Sequence, residues 1–172
     1  MEFNIKKADP TDLEIIFQLF EEAINFQKQN NYIGWKEYDQ TFLSNEVNNG
    51  FLYKIIVDDA IACIFSICYA DPFIWREMEK GNALYLHRIV LNRKFAGKRL
   101  FEKVLEWSIY HAHTENLQYI RMDTWAENEK IIDYYKSYGF RYVETYTTGN
   151  NIELPIQHRN LNITLLEFSL IT

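Results

Sequence analysis

The sequence predicts a mixed α/β fold in one domain spanning residues 1–172. Three observations carry that expectation. Short apolar or alternating runs, strand-like in length, recur along the chain. Between them lie segments with apolar residues at helical spacing. The length suits one sizeable core and is too short for two comfortable ones.

Phe3–Ala8 alternates and reads as a first strand. Asp9-Pro10-Thr11-Asp12 has the acids and proline that a first helical turn tolerates, and Leu13, Ile16, Phe17, Phe20 and Ile24 continue it as one apolar face. Asn30–Asp39 is polar with interspersed aromatics and is expected to be irregular, and Thr41–Val47 a short helix ending near Gly50. Phe51–Val57, Asp58-Asp59 and Ala60–Tyr69 read as a hairpin whose second strand, nearly all apolar, belongs in the centre of a sheet covered on both faces. Asp71–Gly81 is a short helix or loop. Ala83–Leu91 is a strand, 97–116 a helix with Leu100, Val104, Leu105, Ile109 and Ala112 inward, and Leu117–Trp125 another strand. A helix over Asn128–Tyr138, closed by Gly139, leads into a strand over Phe140–Thr147. A polar connection, Thr148–Asn160, precedes the last strand at Leu161–Leu170.

Composition narrows the function. The net charge of −6 argues against general nucleic-acid binding and is compatible with a cationic acceptor. There is no basic-then-apolar leader and no apolar run of about 18 residues, so the expectation is a cytoplasmic protein without a membrane partner. Cys63 and Cys68 lie five apart on one predicted strand, on opposite faces, and fit neither a disulfide nor a metal site.

Against this acidic background, Arg88–Lys103 holds six Lys/Arg residues and one acid, Glu102. It reads as a strand end, a turn with Gly97, and a helix start, where free backbone N–H groups and the helix dipole suit a phosphate. A solvated charge cluster is the bland alternative. One helix further on comes Asn128-Glu-Lys-Ile-Ile-Asp-Tyr-Tyr135-Lys-Ser-Tyr-Gly139-Phe140.

With these two segments the chain resembles the GNAT N-acetyltransferase superfamily, which transfers acetyl groups from acetyl-coenzyme A. Asn128, Tyr135, Gly139 and Phe140 match that family's Asn, Tyr and Gly-Phe positions. The resemblance implies a mostly antiparallel central sheet flanked by helices, with a central pair of strands splayed apart. It also implies acetyl-coenzyme A as co-substrate, contacted by Ile89, Val90 and Leu91, by the turn Ala96, Gly97, Lys98, Arg99, Leu100 and Phe101, and by Asn128 and Tyr135. The turn departs from the family pattern: Ala96 replaces an Arg or Gln, Arg99 a glycine, and Phe101 a small residue. Arg99 is expected to swing outward to a phosphate, and Phe101 to push its helix from the sheet.

By the same resemblance Tyr135 is the general acid for the leaving sulfur; its alternative is a packing tyrosine. Asn128 contacts the pantetheine arm, caps its helix, or does both. A primary amine of a small molecule or peptide, the implied acceptor, must lose a proton before attack. The candidate bases are His87 and Asp123, each with a structural alternative. Members often carry an acid near the position of Arg88, and this chain has none there. Tyr32, Trp35, Trp75, Trp125 and His158 are candidates for the acceptor pocket; the His158–Arg159 pair suits either an acidic group on a substrate or a homodimer contact. The competing class is a non-catalytic module that keeps the fold, binding coenzyme A or another protein.

Overall fold

The structure, a computed structural model, describes residues 2–171. Seven strands form one sheet: β1 (Asn4–Lys7), β2 (Leu52–Val57), β3 (Ala60–Cys68), β4 (Ala83–Leu91), β5 (Tyr119–Trp125), β6 (Arg141–Thr147) and β7 (Asn162–Ser169). Their spatial order is β1-β2-β3-β4-β5-β7-β6. Every neighbouring pair is antiparallel except β4–β5. The helices are α1 (Leu13–Gln29), α2 (Gln40–Asn48), α3 (Pro72–Trp75), α4 (Leu100–Thr114) and α5 (Glu129–Ser137). The mixed, mostly antiparallel sheet flanked by helices is the fold class the sequence predicts. Among the described residues no helix is long and apolar enough to cross a membrane.

Local chemistry explains several helix ends. Asp9 caps the turn Pro10–Asp12 in a reciprocal capping box with Asp12, and Lys54 of β2 bonds both carboxylates, fixing the entry to α1 against the sheet. Asp39 caps α2 through the Phe42 N–H at 3.0 Å. Gly139 closes the α5 turn at φ +100, a conformation that excludes most side chains. Helix α4 starts at Leu100 rather than at the expected Gly97, because Gly97 and Arg99 hold φ of +81 and +54 and form a turn.

Three buried clusters fill the layers. Helices α4 and α5 pack Phe101, Val104 and Tyr135 over Phe65, Leu84, Leu86 and Leu166. On another cluster α1 and α2 bury Ile16, Phe20 and Leu43 over Leu52, Ile64 and Val90. The third gathers Ile74, Trp75, Tyr85 and Leu165. Cys63 belongs to the first cluster and Cys68 packs against the third, so the two cysteines face apart.

One irregularity shapes the centre of the sheet. Ser66 pairs with His87 and Ile64 with Val90, so β4 holds one extra residue against β3. That residue is Arg88, in the left-handed region at φ +50. Its side chain is buried and grips Glu46 of α2 with both Nε (2.8 Å) and Nη2, while Ser66 Oγ donates to the same carboxylate at 2.7 Å. The extra residue also resets the alternation, so that Ile89, like Leu84 and Leu86, faces the α4 side. Removing one partner of a buried ion pair strands the other. Glu46→Ala should therefore cost about 3–5 kcal/mol in urea unfolding. Glu106→Ala, which breaks only the exposed pair with Lys103, should cost less than about 1 kcal/mol.

Candidate active site

The parallel ladder between β4 and β5 runs only from Ala83↔Tyr119 to Tyr85↔Arg121. Beyond it, where the bulge turns β4, the strands part and their facing backbone groups have no ladder partner. Two adjoining cavities lie along the gap. One, of about 280 Å³, is lined by Phe26, Tyr32, Ile89, Arg93, Asn128 and Tyr135 among others. The other, of about 120 Å³, is lined by His87, Arg88, Asp123, Gln157 and His158. Gln27, Trp35, Ile89, Trp125, Ile131 and Tyr135 border both, and so form their common wall.

The segment between α1 and α2 covers this wall. Trp35 packs edge-on against Trp125 with ring centroids 5.5 Å apart, and its N–H donates to Gln27 Oε1 at 3.0 Å. Gly34 permits that closeness, since a Cβ there would fall 2.1 Å from Gln27 Oε1. Asn128 works at both ends of its amide. Its Oδ1 caps α5 through the Ile131 N–H (3.2 Å), and its Nδ2 donates to the Ile33 carbonyl (2.9 Å), tying the covering segment to α5.

Tyr135 is buried in α5, with its ring 4.9 Å from that of Phe101. Burial pushes its pKa well up, with Cys63 and Asp123 adding to the shift, so the phenol keeps its proton. No hydrogen bond to another described residue occupies its hydroxyl. Phe101 does not displace α4. It is fully buried among Tyr134, Tyr135, Tyr138 and Phe140 and fastens α4 to α5.

At the turn, the N–H groups of Gly97, Arg99, Leu100 and Phe101 have no acceptor among the described residues, whereas that of Lys98 bonds Phe95 and that of Glu102 bonds Arg99. This is a donor set suited to an anion. The Arg99 side chain does point outward, 73% exposed, and pairs with Glu102 at 2.6 Å. Ala96 and Lys98 are exposed as well. The basic side chain on the larger cavity is Arg93, whose guanidinium lies 3.3 Å over the Phe26 ring.

His87 and Asp123 follow the last paired residues, Tyr85 and Arg121, by two positions each. They therefore face one another across the opening gap. Asp123 Oδ1 lies 3.6 Å from His87 Nδ1, too far for a hydrogen bond, and is buried without a partner. On its other side His87 Nε2 sits 3.0 Å from Asp71 Oδ2. Burial opposes charge on His87, but Cys68 and the Asp71 carboxylate more than offset it, so its pKa stands well above the usual histidine value. Burial raises the Asp123 carboxyl, partly countered by His87. His158, 6.3 Å from His87 between ring centroids, is pushed down to about 3 by burial and by the charges of Arg88 and His87. The donor atoms of Asp71, His87 and Asp123 lie within 4.8 Å of one another. The two ring nitrogens face different carboxylates, which suits holding an imidazolium better than converging on one ion.

Of the five acceptor-pocket candidates, Trp35, Trp125 and His158 line the smaller cavity, and Tyr32 lines the larger, outer one. Trp75 does not join them. It is fully buried against Tyr85 with the Arg121 guanidinium 4.5 Å over its ring, because α3 folds its apolar side into the third cluster. Arg159 is also spent elsewhere, on the Leu154 and Ile152 carbonyls of its own connection, both at 2.8 Å. Gln27, Arg93 and Asp71 are site residues that sequence reading passed over. For Arg93 the signal was its place in the basic run; the others carry none.

The chain matches the Acetyltransferase (GNAT) family over residues 15–140 and belongs to it. It is similar to YesJ, an uncharacterized N-acetyltransferase of Bacillus subtilis, with 23% identity over 114 residues. That match covers 64% of this chain and 63% of the relative's length. Among solved structures, a GNAT-family acetyltransferase from Listeria monocytogenes superposes with a TM-score of 0.78 at 20% identity, over 99% of this chain and 96% of that one. A ribosomal-protein-alanine N-acetyltransferase from Brucella melitensis does so with 0.67 at 18%, over 97% and 99%.

The turn makes its own prediction. At φ +54 an arginine is strained and a β-branched residue more so. In thermal melts Arg99→Gly should be no less stable than the wild type, and Arg99→Val less stable by about 1–2 kcal/mol.

Proposed function

We propose that the protein is an N-acetyltransferase that moves the acetyl group of acetyl-coenzyme A directly onto the primary amine of a small molecule or peptide. The observation that carries this reading is the pair of cavities meeting at Tyr135 across the gap between β4 and β5. Family membership supports the same chemistry, and the likeness to a ribosomal-protein-alanine N-acetyltransferase is compatible with a peptide amine as acceptor.

The larger cavity takes the pantetheine arm, along the unpaired backbone of Ile89–Leu91. The free N–H groups from Gly97 to Phe101 receive the pyrophosphate, with Arg93 rather than Arg99 as the nearby cation. The acceptor enters the smaller cavity, where Trp35 and Trp125 give an amine aromatic faces and Asp123 supplies negative charge. Its nitrogen forms a bond to the thioester carbon, and the C–S bond breaks with its electron pair left on sulfur. A main-chain N–H of Ile89–Leu91 steadies the oxygen. Of the two protons the ammonium nitrogen sheds, one reaches sulfur through the Tyr135 hydroxyl. The other leaves through a base on the cavity wall, where His87 and Asp123 stand. The raised pKa of Tyr135 suits it to donate at neutral pH rather than to sit as a phenolate.

Calorimetric titration with acetyl-coenzyme A, followed by a screen of amines and peptide N-termini, tests the reading. Micromolar binding and amide formation are expected. The non-catalytic module becomes the better account if the ligand binds but no amine is acetylated. Tyr135→Phe should lower kcat about a hundredfold with little change in KM, while its thermal melt stays within about 0.5 kcal/mol of the wild type, since the lost hydroxyl has no partner among the described residues.

A further inference from the structure

Asp71 occupies the N-cap position of α3, with Pro72 following, where an aspartate usually bonds its own helix. Here the side chain makes no capping bond and turns to His87 instead. Its backbone is held independently. The Asp71 N–H donates to Glu79 Oε2 at 2.8 Å, and the Asp71 carbonyl accepts from the Trp75 N–H at 2.9 Å. The carboxylate is thus a fixed post behind the imidazole, outside the lining of either cavity, whereas Asp123 lines the smaller cavity with a buried oxygen that no described residue satisfies. A buried polar atom left unpaired inside a cavity wall marks a place where a ligand's donor completes the set.

We propose that Asp71 is a positioning residue that fixes the His87 ring between two carboxylates, so that Asp123 presents its free oxygen to the acceptor nitrogen as the base. This rests on the acetyl-transfer reading above. In the step itself Asp123 takes one proton from the acceptor's ammonium nitrogen, freeing the lone pair that forms the C–N bond, and returns that proton to water once the amide leaves. His87 keeps both of its ring protons throughout, one toward each carboxylate, and is neither consumed nor turned over. The geometry favours this order over His87 as the base. Its Nε2 lies 3.0 Å from Asp71 Oδ2, its Nδ1 is turned to the side of Asp123, and of the two carboxylates only Asp123 lines a cavity.

Other charged or titratable groups bear on the pair from every side: Cys68 from β3, Arg88 from β4, Tyr135 from α5, Tyr146 from β6 and His158 from the connection before β7. Arg88 is paired with Glu46 and His158 stays uncharged, so His87 is the cation that acts most strongly on Asp123. Removing Asp71 takes away one of the two groups, with Cys68, that hold the ring charged. Asp123 then loses the cation that keeps it ionised, an effect larger on Asp123 than the direct repulsion from Asp71 that is lost with it.

The test compares Asp71→Asn, Asp123→Asn, His87→Gln and the double variant Asp71→Asn/His87→Gln, using ring NMR of His87 and pH profiles of kcat/KM. In the wild type the ring should be doubly protonated at about pH 7. Asp71→Asn should lower the ring's titration midpoint and move the acid limb of kcat/KM to higher pH. It should also cut kcat/KM at neutral pH about tenfold, with acetyl-coenzyme A affinity unchanged. Asp123→Asn should lose a hundredfold or more in kcat, on the order of a removed general base. In the His87→Gln background, Asp71→Asn should no longer move the acid limb to higher pH; loss of the direct repulsion should leave only a smaller shift the other way. The proposal is overturned if Asp71→Asn leaves both the ring titration and the acid limb where they were, if it still moves the acid limb to higher pH without His87, or if Asp123→Asn keeps full activity. Should the wild type acetylate no amine, the proposed reaction fails, and the ring titration alone still shows whether Asp71 holds His87.

Discussion

The extra residue in β4 is the constraint on which the rest of the site depends. A strand with one residue too many must bend away from a neighbour, and β4 bends from β5. The bend requires Arg88 to adopt a left-handed backbone, which costs on the order of 1–3 kcal/mol for a residue of this kind. What offsets it is the buried grip of Arg88 on Glu46, with Ser66 completing the carboxylate's hydrogen bonds. Helix α2 therefore does more than cover the sheet. Through Glu46 it holds open a gap whose chemistry belongs to other elements.

Two cavities of different character follow from that gap. Past the end of the ladder the backbone between the strands offers unpaired polar groups, and the α4–α5 aromatic layer, with Phe101 at its centre, supplies an apolar floor and brings Tyr135 to the common wall. On the acceptor side the same splay leaves room for side chains that would otherwise be pressed into register. His87 and Asp123 are opposite by extrapolation of the Ala83–Tyr119 register, yet are separated enough to keep an oxygen unsatisfied. The electrostatics are divided in the same way. Arg88 is paired with Glu46 and His158 is kept neutral by burial and by the charges of Arg88 and His87, so the strongest charge on Asp123 comes from His87.

At the phosphate turn, backbone and side chain have separate roles. Gly97 and Arg99 supply the positive φ values that aim the N–H groups, and the arginine does so although a glycine would be less strained. Its charge is turned toward Glu102 and solvent, and Arg93, stacked on Phe26, stands at the cavity in its stead. The substituted turn thus keeps the donor geometry without the small residues of the family pattern.

The sequence by itself determined the element order, the hairpin, the apolar faces of α1 and α4, the cap at Asn128 and the place of Tyr135 on its helix. Those features depend on local periodicity and on residues within a turn of one another. Only the tertiary structure decided that Trp75 enters the core rather than the acceptor cavity. It also decided that Phe101 joins α4 to α5 and that Asp71 stands behind His87. Each of these is settled by a partner distant in the chain or by competition for burial. The clearest case is Arg88, where the expected carboxylate near the cleft is missing from β4. The nearest one is carried by Glu46, brought to it by the fold and already spent on the bulge. Alternation along a strand shows which residues share a face, but it cannot show that one extra residue reverses the count, because that depends on the strand beside it.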